Sequence, residues 1–161
     1  MPSPPSRKPG GLLSVPHAGE TVGGGQLWGA VEAFRAQRIG HGVRYGGSGA
    51  AHVAKEQAIP LEYPTSNICL HVYRRLAEHP LPHLDRMGLV VTVNSDDPPL
   101  FNTRLLDEYA VLALEFGYDK AGMARLARNA FAVAGVEEEI KAGLLAEFDA
   151  WCAAQGVDLV L

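Results

Sequence analysis

The sequence predicts an α/β chain: about four short parallel strands with helices between them, followed by three helices. Two patterns predict it. Four apolar segments each run into a polar cluster, and beyond the fourth the apolar spacing becomes helical only. A third observation sets the scale, since 161 residues with 47% hydrophobic and 20% charged side chains supply one packed core.

Taken in order, residues 1–10 hold Pro2, Pro4, Pro5 and Pro9 beside Arg7 and Lys8, a mixture that neither continues a helix nor pairs in a sheet. They are expected to be a disordered leader ahead of a domain over 11–161. The predicted strands are Leu12 to Val15 before His17, Arg38 to Gly40 before His41, Ile59 to Leu61 before Glu62, and Leu89 to Val93 before Asn94. Between them, Leu27 to Gln37 (apolar at Leu27, Trp28, Val31 and Phe34) and Leu81 to Met87 read as helices, giving a β/α alternation. After the fourth strand, Leu105, Leu106, Tyr109, Leu112, Ala113 and Phe116 share one helical face. Met123, Leu126, Ala127, Ala130 and Phe131 share a second, and Ile140, Leu144, Leu145, Phe148, Trp151 and Cys152 a third, with Gly135 as the stop between the last two.

Composition narrows the partners. A net charge of −4 provides no phosphate-neutralising face, which excludes a nucleic-acid polymer and favours a small polar substrate. Cys69 and Cys152 are too few for a disulfide framework or a cysteine zinc site, and no apolar run approaches the ~20 residues of a membrane span. The expected setting is the cytoplasm, without membrane insertion.

The polar residues cluster where strands end: His17 to Glu20, His41, Glu62 to Asn67, and Ser95 with Asp96 and Asp97. In a (β/α)₈ barrel the carboxyl ends of the strands form the active-site face. Four β/α units make the C-terminal half of such a TIM-type barrel, which needs about 250 residues in full.

Each cluster has a bland reading beside a chemical one. His17-Ala18-Gly19-Glu20 sets an imidazole and a carboxylate three residues apart around two small residues, which is also the pattern of a hydrogen-bonded surface histidine. Ser95-Asp96-Asp97-Pro98-Pro99 places two adjacent carboxylates that repel unless a cation or donors compensate, yet it also reads as an Asp-Pro turn. His41 lies between Gly40 and Gly42, which admit close approach of a ligand to the backbone, or simply a tight turn.

In order, His-Ala-Gly-Glu, Arg-Ile-Gly-His-Gly, Pro-Thr-Ser-Asn and Asn-Ser-Asp-Asp-Pro resemble the adenosine/AMP deaminase family, and Leu126-Ala127-Arg128-Asn129-Ala130-Phe131 resembles its late helix. The resemblance runs from about Gly11 to the C-terminus. It implies a zinc-dependent purine aminohydrolase with one zinc ion held partly by His17 and Asp96. Glu20 is implied as the acid that protonates the purine ring, and His41 as the residue that orients the attacking hydroxide. Asp97 and Gly19 are implied as substrate-binding residues, Asp97 through the imidazole edge of the purine. Adenosine is the first substrate expected, with adenine and aminodeoxyfutalosine as alternatives. The His-x-Glu and Pro-Cys-x-x-Cys pattern of the cytidine-type zinc deaminases is absent from the sequence.

Two departures stand out. The family's other zinc ligands come from a His-x-His motif that occurs nowhere in these residues, so the chain alone is expected to bind zinc weakly and to be inactive. His52, His71, His79 and His83 follow no predicted strand end and are not expected to substitute. The glycine-containing segment that lines the family's purine pocket is also missing. Tyr63 stands where relatives have two residues before Pro-Thr-Ser-Asn, a loss expected to turn Ser66 and Asn67 to the opposite face. These departures imply a truncated, frameshifted or split enzyme whose open strand edges self-associate or seat a complementary N-terminal half. A non-catalytic remnant or interaction module is the alternative.

Overall fold

Four strands align in parallel in chain order: β1 His17–Ala18, β2 Arg38–His41, β3 Ile59–Glu62 and β4 Thr92–Val93. The computed structural model describes residues 11–23, 25–44 and 59–159; the expected leader at 1–10 and His52 lie outside them. In the register His17 faces Gly40, Gly40 faces Leu61 and Leu61 faces Thr92, so the four strand ends come level.

β1 is shorter and later than Leu12 to Val15, because Pro16 has no N–H to give the ladder. The segment before it still runs along β2: Ser14 O accepts from Gln37 N and Pro16 O accepts from Gly40 N. β4 likewise contracts to Thr92–Val93 from the expected Leu89–Val93.

The connections within the described residues, β1 to β2 and β3 to β4, are helical. α1 (Gly25–Phe34) joins β1 to β2 and buries Leu27, Ala30 and Val31, while Trp28 and Phe34 of the expected stripe are exposed. After β3 come α2 (Pro64–Cys69), a single 3₁₀ turn (Leu76–Glu78) and α3 (Leu81–Arg86), whose Leu81 and Leu84 enter the core. Pro64 opens α2 at the first helical position, where a missing N–H costs nothing.

Beyond β4 lie the short α4 (Pro98–Phe101) and the three expected long helices α5 (Leu105–Leu114), α6 (Lys120–Ala132) and α7 (Glu138–Ala154). Asp119 caps α6 by accepting from Gly122 N at 2.8 Å. Leu112 and Leu126 are the fully buried anchors of α5 and α6. The predicted stripes are wider than the surfaces that meet them: Leu105, Leu106, Ile140 and Trp151 are exposed, and only Cys152 of α7 is buried. α7 packs on α6 through the Phe131–Phe148 ring contact at 5.2 Å and a two-bond Arg128–Asp149 pair at 2.7 and 2.9 Å.

The sheet edge at β4 was expected to lack partners. Instead Asn129 Nδ2 of α6 donates to Val91 O at 2.9 Å, so a side-chain amide supplies the donor that a neighbouring strand would. Val90 remains exposed beside it. Among the described residues no helix is long and apolar enough to cross a membrane.

Candidate active site

The level strand ends bring three expected residues together. One ligand-type atom each from His17, Glu20 and His41 lies within 4.8 Å of the others. Glycine makes this possible at β2: a Cβ on Gly40 would stand 2.8 Å from Cδ2 of His17, so the bare backbone of β2 admits that ring. The glycine thus admits a neighbouring side chain rather than a ligand. The rings of His17 and His41 meet edge to face at 5.0 Å, and His41 Nε2 lies 3.7 Å from Glu20 Oε2.

Exposure differs across the group. His17 is exposed, Glu20 half-buried and His41 almost wholly buried. Burial holds His41 below its ordinary pKa near 6.5; Glu20 and Asp96 pull upward, and His17 adds to the lowering. The backbone of His41 is left-handed (φ 67°), a conformation rare for a residue with a Cβ. It persists because Gly40 N donates to Pro16 O and Gly42 N to Ala18 O on either side of it, and Arg44 N to Gly19 O beyond. Arg44 also donates from Nε to Glu20 O at 2.9 Å and from Nη2 to Val72 O at 2.8 Å, tying the Glu20 loop to the chain beyond α2.

Gly19 is left-handed too (φ 68°), and a Cβ there would fall 2.9 Å from Leu27. Its N–H donates to Gln26 Oε1 at 3.4 Å. Here the glycine allows β1 to meet α1.

Asp96 comes from the end of β4 and, like His41, has positive φ (56°). Its Oδ2 accepts from Ser66 Oγ at 2.6 Å. It lines a cleft of about 350 Å³ together with Arg38, Tyr63, Asn94 and Ser95. Burial, with Asp96 next, pushes the Tyr63 hydroxyl up to about 12, so it stays protonated. Asp97 is exposed and begins α4, with its carbonyl accepting from Leu100 N and Phe101 N. Asp96 and Asp97 are outside the group of three that converges within 4.8 Å.

The expected reversal of Ser66 and Asn67 does not occur. Both are buried, Ser66 on Asp96 and Asn67 on His41. The two-for-one replacement at Tyr63 falls at the junction of β3 and α2, where Tyr63 (φ −133°, ψ 73°) has left strand geometry, so the alternation rule no longer carries past it.

Sequence reasoning missed a buried polar group behind this site. Asn67 Nδ2 lies 3.3 Å from His41 Nδ1, and Asn67 Oδ1 lies 2.9 Å from His79 Nε2. His79, passed over as a spare imidazole, is pushed down to about 3 by burial. Glu62 sits behind it, fully buried, with Oε2 4.0 Å from His79 Nε2 and neither oxygen hydrogen-bonded; burial raises its pKa well above 4.5. Glu108, on a helix read only for its apolar stripe, is also fully buried, accepting from Thr65 N at 3.1 Å and from Thr103 Oγ1 at 2.7 Å. It anchors the start of α2, and with it Ser66 and Asn67. A buried carboxylate that accepts one backbone N–H and one hydroxyl has no periodic signature; what the sequence marked of this group was the strand-end stretch from Glu62 to Asn67.

Two imidazoles and a carboxylate thus gather at the carboxyl ends of parallel strands, the end that carries the active site in β/α barrel enzymes. The comparisons give the family. The adenosine deaminase family model matches residues 7–151, and the chain belongs to that family of hydrolytic deaminases. It is 47% identical over 147 residues to an aminodeoxyfutalosine deaminase of Streptomyces avermitilis, covering 89% of this chain and 41% of the relative. It is 40% identical over 141 residues to an adenine deaminase of Mesorhizobium japonicum, covering 86% of this chain and 44% of that one. The fold is similar to part of the TIM-barrel adenine deaminase of Arthrobacter aurescens, with a TM-score of 0.84 and 32% identity over 89% of this chain and 45% of that chain. An Arabidopsis N6-mAMP deaminase aligns with a TM-score of 0.78 at 25% identity, over 84% of this chain and 40% of that one. The chain therefore spans less than half the length of these relatives.

Proposed function

We propose that this chain carries the C-terminal half of a (β/α)₈ barrel and the C-terminal share of the catalytic centre of a zinc-dependent purine deaminase. The observation that carries the reading is the convergence of His17, Glu20 and His41 within 4.8 Å at level strand ends. The donor set suits zinc in kind, an imidazole nitrogen from His17 with carboxylate oxygen from Asp96, completed by donors on a further segment. When bound, that ion would supply an activated water at neutral pH.

The chain's own residues do the rest. Glu20, half-buried beside His41, holds the proton for the purine ring nitrogen next to the carbon under attack. His41, kept neutral by burial, offers a hydrogen bond to the oxygen that adds there. Asp97 and the Gly19 backbone are the proposed contacts to the purine, and Ser66 steadies Asp96. Overall, water replaces the exocyclic amine by oxygen and ammonia leaves. The relatives' names put a 6-aminopurine derivative such as aminodeoxyfutalosine, or adenine, ahead of adenosine as substrate.

The test is ammonia release from these three substrates, with zinc content measured by mass spectrometry. Both are determined for the chain alone and for the chain mixed with a His-x-His-bearing N-terminal half. The mixture should turn over, and E20Q should abolish turnover while zinc is retained. Zinc binding at micromolar affinity or tighter by the chain alone would overturn the ligand assignment. A mixture that binds zinc but deaminates none of the three would favour the non-catalytic module.

A further inference from the structure

Behind the site, hydrogen-bond polarity can be followed from one fixed point. The backbone N–H of Leu81 donates to His79 Nδ1 at 3.2 Å, and an N–H has no other role, so Nδ1 carries a lone pair. A neutral imidazole then bears its proton on Nε2, which faces Asn67 Oδ1 at 2.9 Å. That donor fixes the amide: the oxygen turns to His79, and the NH₂ is left facing His41 Nδ1 at 3.3 Å. His41 Nδ1 must therefore accept, and the ring proton goes to Nε2, the nitrogen 3.7 Å from Glu20.

All three residues are buried, with Asn67 at 0% and His41 at 2% exposed, so water does not replace a lost partner cheaply. The carboxyl group against His79 is Glu62, whose unpartnered oxygens lie in the same enclosed space. The rings around the relay are His17 and Tyr63, 5.0 and 4.6 Å from His41, and Tyr73 and Phe116, 5.6 and 5.7 Å from His79.

We propose that Asn67 and His79 are positioning residues that fix the tautomer of His41, holding its proton on the nitrogen that faces Glu20. This deepens the deaminase reading and rests on it for its consequence: His41 presents a donor to the site, with no lone pair there to bind a cation or take a proton from water. Neither residue touches substrate; both act through His41.

The experiment is long-range ¹H–¹⁵N imidazole spectroscopy on the full ¹⁵N-labelled chain at pH 8. Wild type should show His41 with an unprotonated, hydrogen-bonded Nδ1 and a protonated Nε2. N67D replaces the NH₂ by a second acceptor oxygen and should move the proton to Nδ1. H79Q keeps a donor for Asn67 Oδ1 and should preserve the wild-type His41 pattern, whereas H79L should yield a tautomer mixture. A protonated Nδ1 in wild type, or an unchanged His41 in both N67D and H79L, overturns the proposal; H79L decides if N67D does not fold. In the completed enzyme, N67D should lower kcat about 10- to 100-fold with a smaller change in KM. A tautomer shift without loss of kcat would leave the relay standing and refute the role of His41.

Discussion

The pair Glu62 and His79 makes a pH dependence that can be worked out from burial alone. Both side chains are enclosed, 4.0 Å apart, and the Glu62 oxygens receive no hydrogen bond. Charging both would forfeit hydration that one 4.0 Å contact without supporting donors does not offset. The Leu81 N–H on His79 Nδ1 also leaves no room for a second ring proton. The folded pair is therefore neutral, with the Glu62 pKa raised and that of His79 lowered to about 3. The signs follow. Above about 4.5 unfolded Glu62 loses its proton while the folded one keeps it, so its contribution to stability falls as pH rises toward the folded value. Between about 3 and 6.5 unfolded His79 binds a proton that the folded one refuses, so that contribution is lost as pH falls.

Each slope is at most about 1.4 kcal/mol per pH unit. The two oppose between about 4.5 and 6.5, where their sum is flat. The assay is urea unfolding of wild type, E62Q and H79Q at half-unit steps from pH 4 to 8, analysed as differences so that the other titrating groups cancel. Wild type minus E62Q should decline steadily from pH 5 to 7, and wild type minus H79Q should rise from pH 5 and level off above about 6.5. A flat difference for E62Q would mean that Glu62 reaches water or a donor, and an imidazolium spectrum for His79 at pH 6 would refute the neutral pair.

Other expectations can be checked more simply. G40A should push the His17 ring off β2, because the new Cβ would fall 2.8 Å from it; zinc affinity of the completed enzyme should drop at least about tenfold by calorimetry. Burial raises the Asp85 pKa, but two bonds from Arg125 and one from Tyr118 outweigh it, so the group stabilises above pH 3.8 and loses this as pH falls. R125M should cost about 1–3 kcal/mol at pH 7 by denaturant unfolding, and less at pH 3. L126A, at a fully buried position, should cost about 2–5 kcal/mol in the same assay. With Leu12, Leu100, Leu106 and Leu114 each more than 70% exposed, the chain alone should self-associate at micromolar concentration. A single monomeric species in analytical ultracentrifugation would count against open apolar faces.

Much of the fold was legible because short apolar runs ending in polar residues are a local signal. β2 and β3 begin where expected, at Arg38 and Ile59. The ends of β1 and β4 were not legible, since ladder length depends on which partner offers an N–H, and Pro16 decides that only once β2 lies beside it. Of the site residues, His17, Glu20 and His41 meet as their strand-end positions implied, while Asp97 starts α4 at the surface. His79 and Glu108 escaped notice for a common reason. Each becomes a partner to the site's supports only across 12 or 43 residues, to Asn67 and to Thr65, and no periodicity in sequence encodes such a meeting.

The strained positions show how His41 and Asp96 are held. His41 and Asp96 both adopt left-handed backbone, at a cost of about 1–2 kcal/mol each for a residue with a Cβ. Such conformations persist only where neighbours over-determine them. At His41 the flanking N–H groups are tied to Pro16 O and Ala18 O; at Asp96 the preceding Asn94 N is tied to Glu62 O, and the carboxylate to Ser66. Ser66 in turn stands on α2, whose first turn is pinned by buried Glu108. Every one of these ties comes from within the described residues. The orientation of His41 and Asp96 is therefore set by this chain's own strands and helices. A completing segment would have to add donors to side chains already aimed, a smaller ordering cost than building the site from mobile ones.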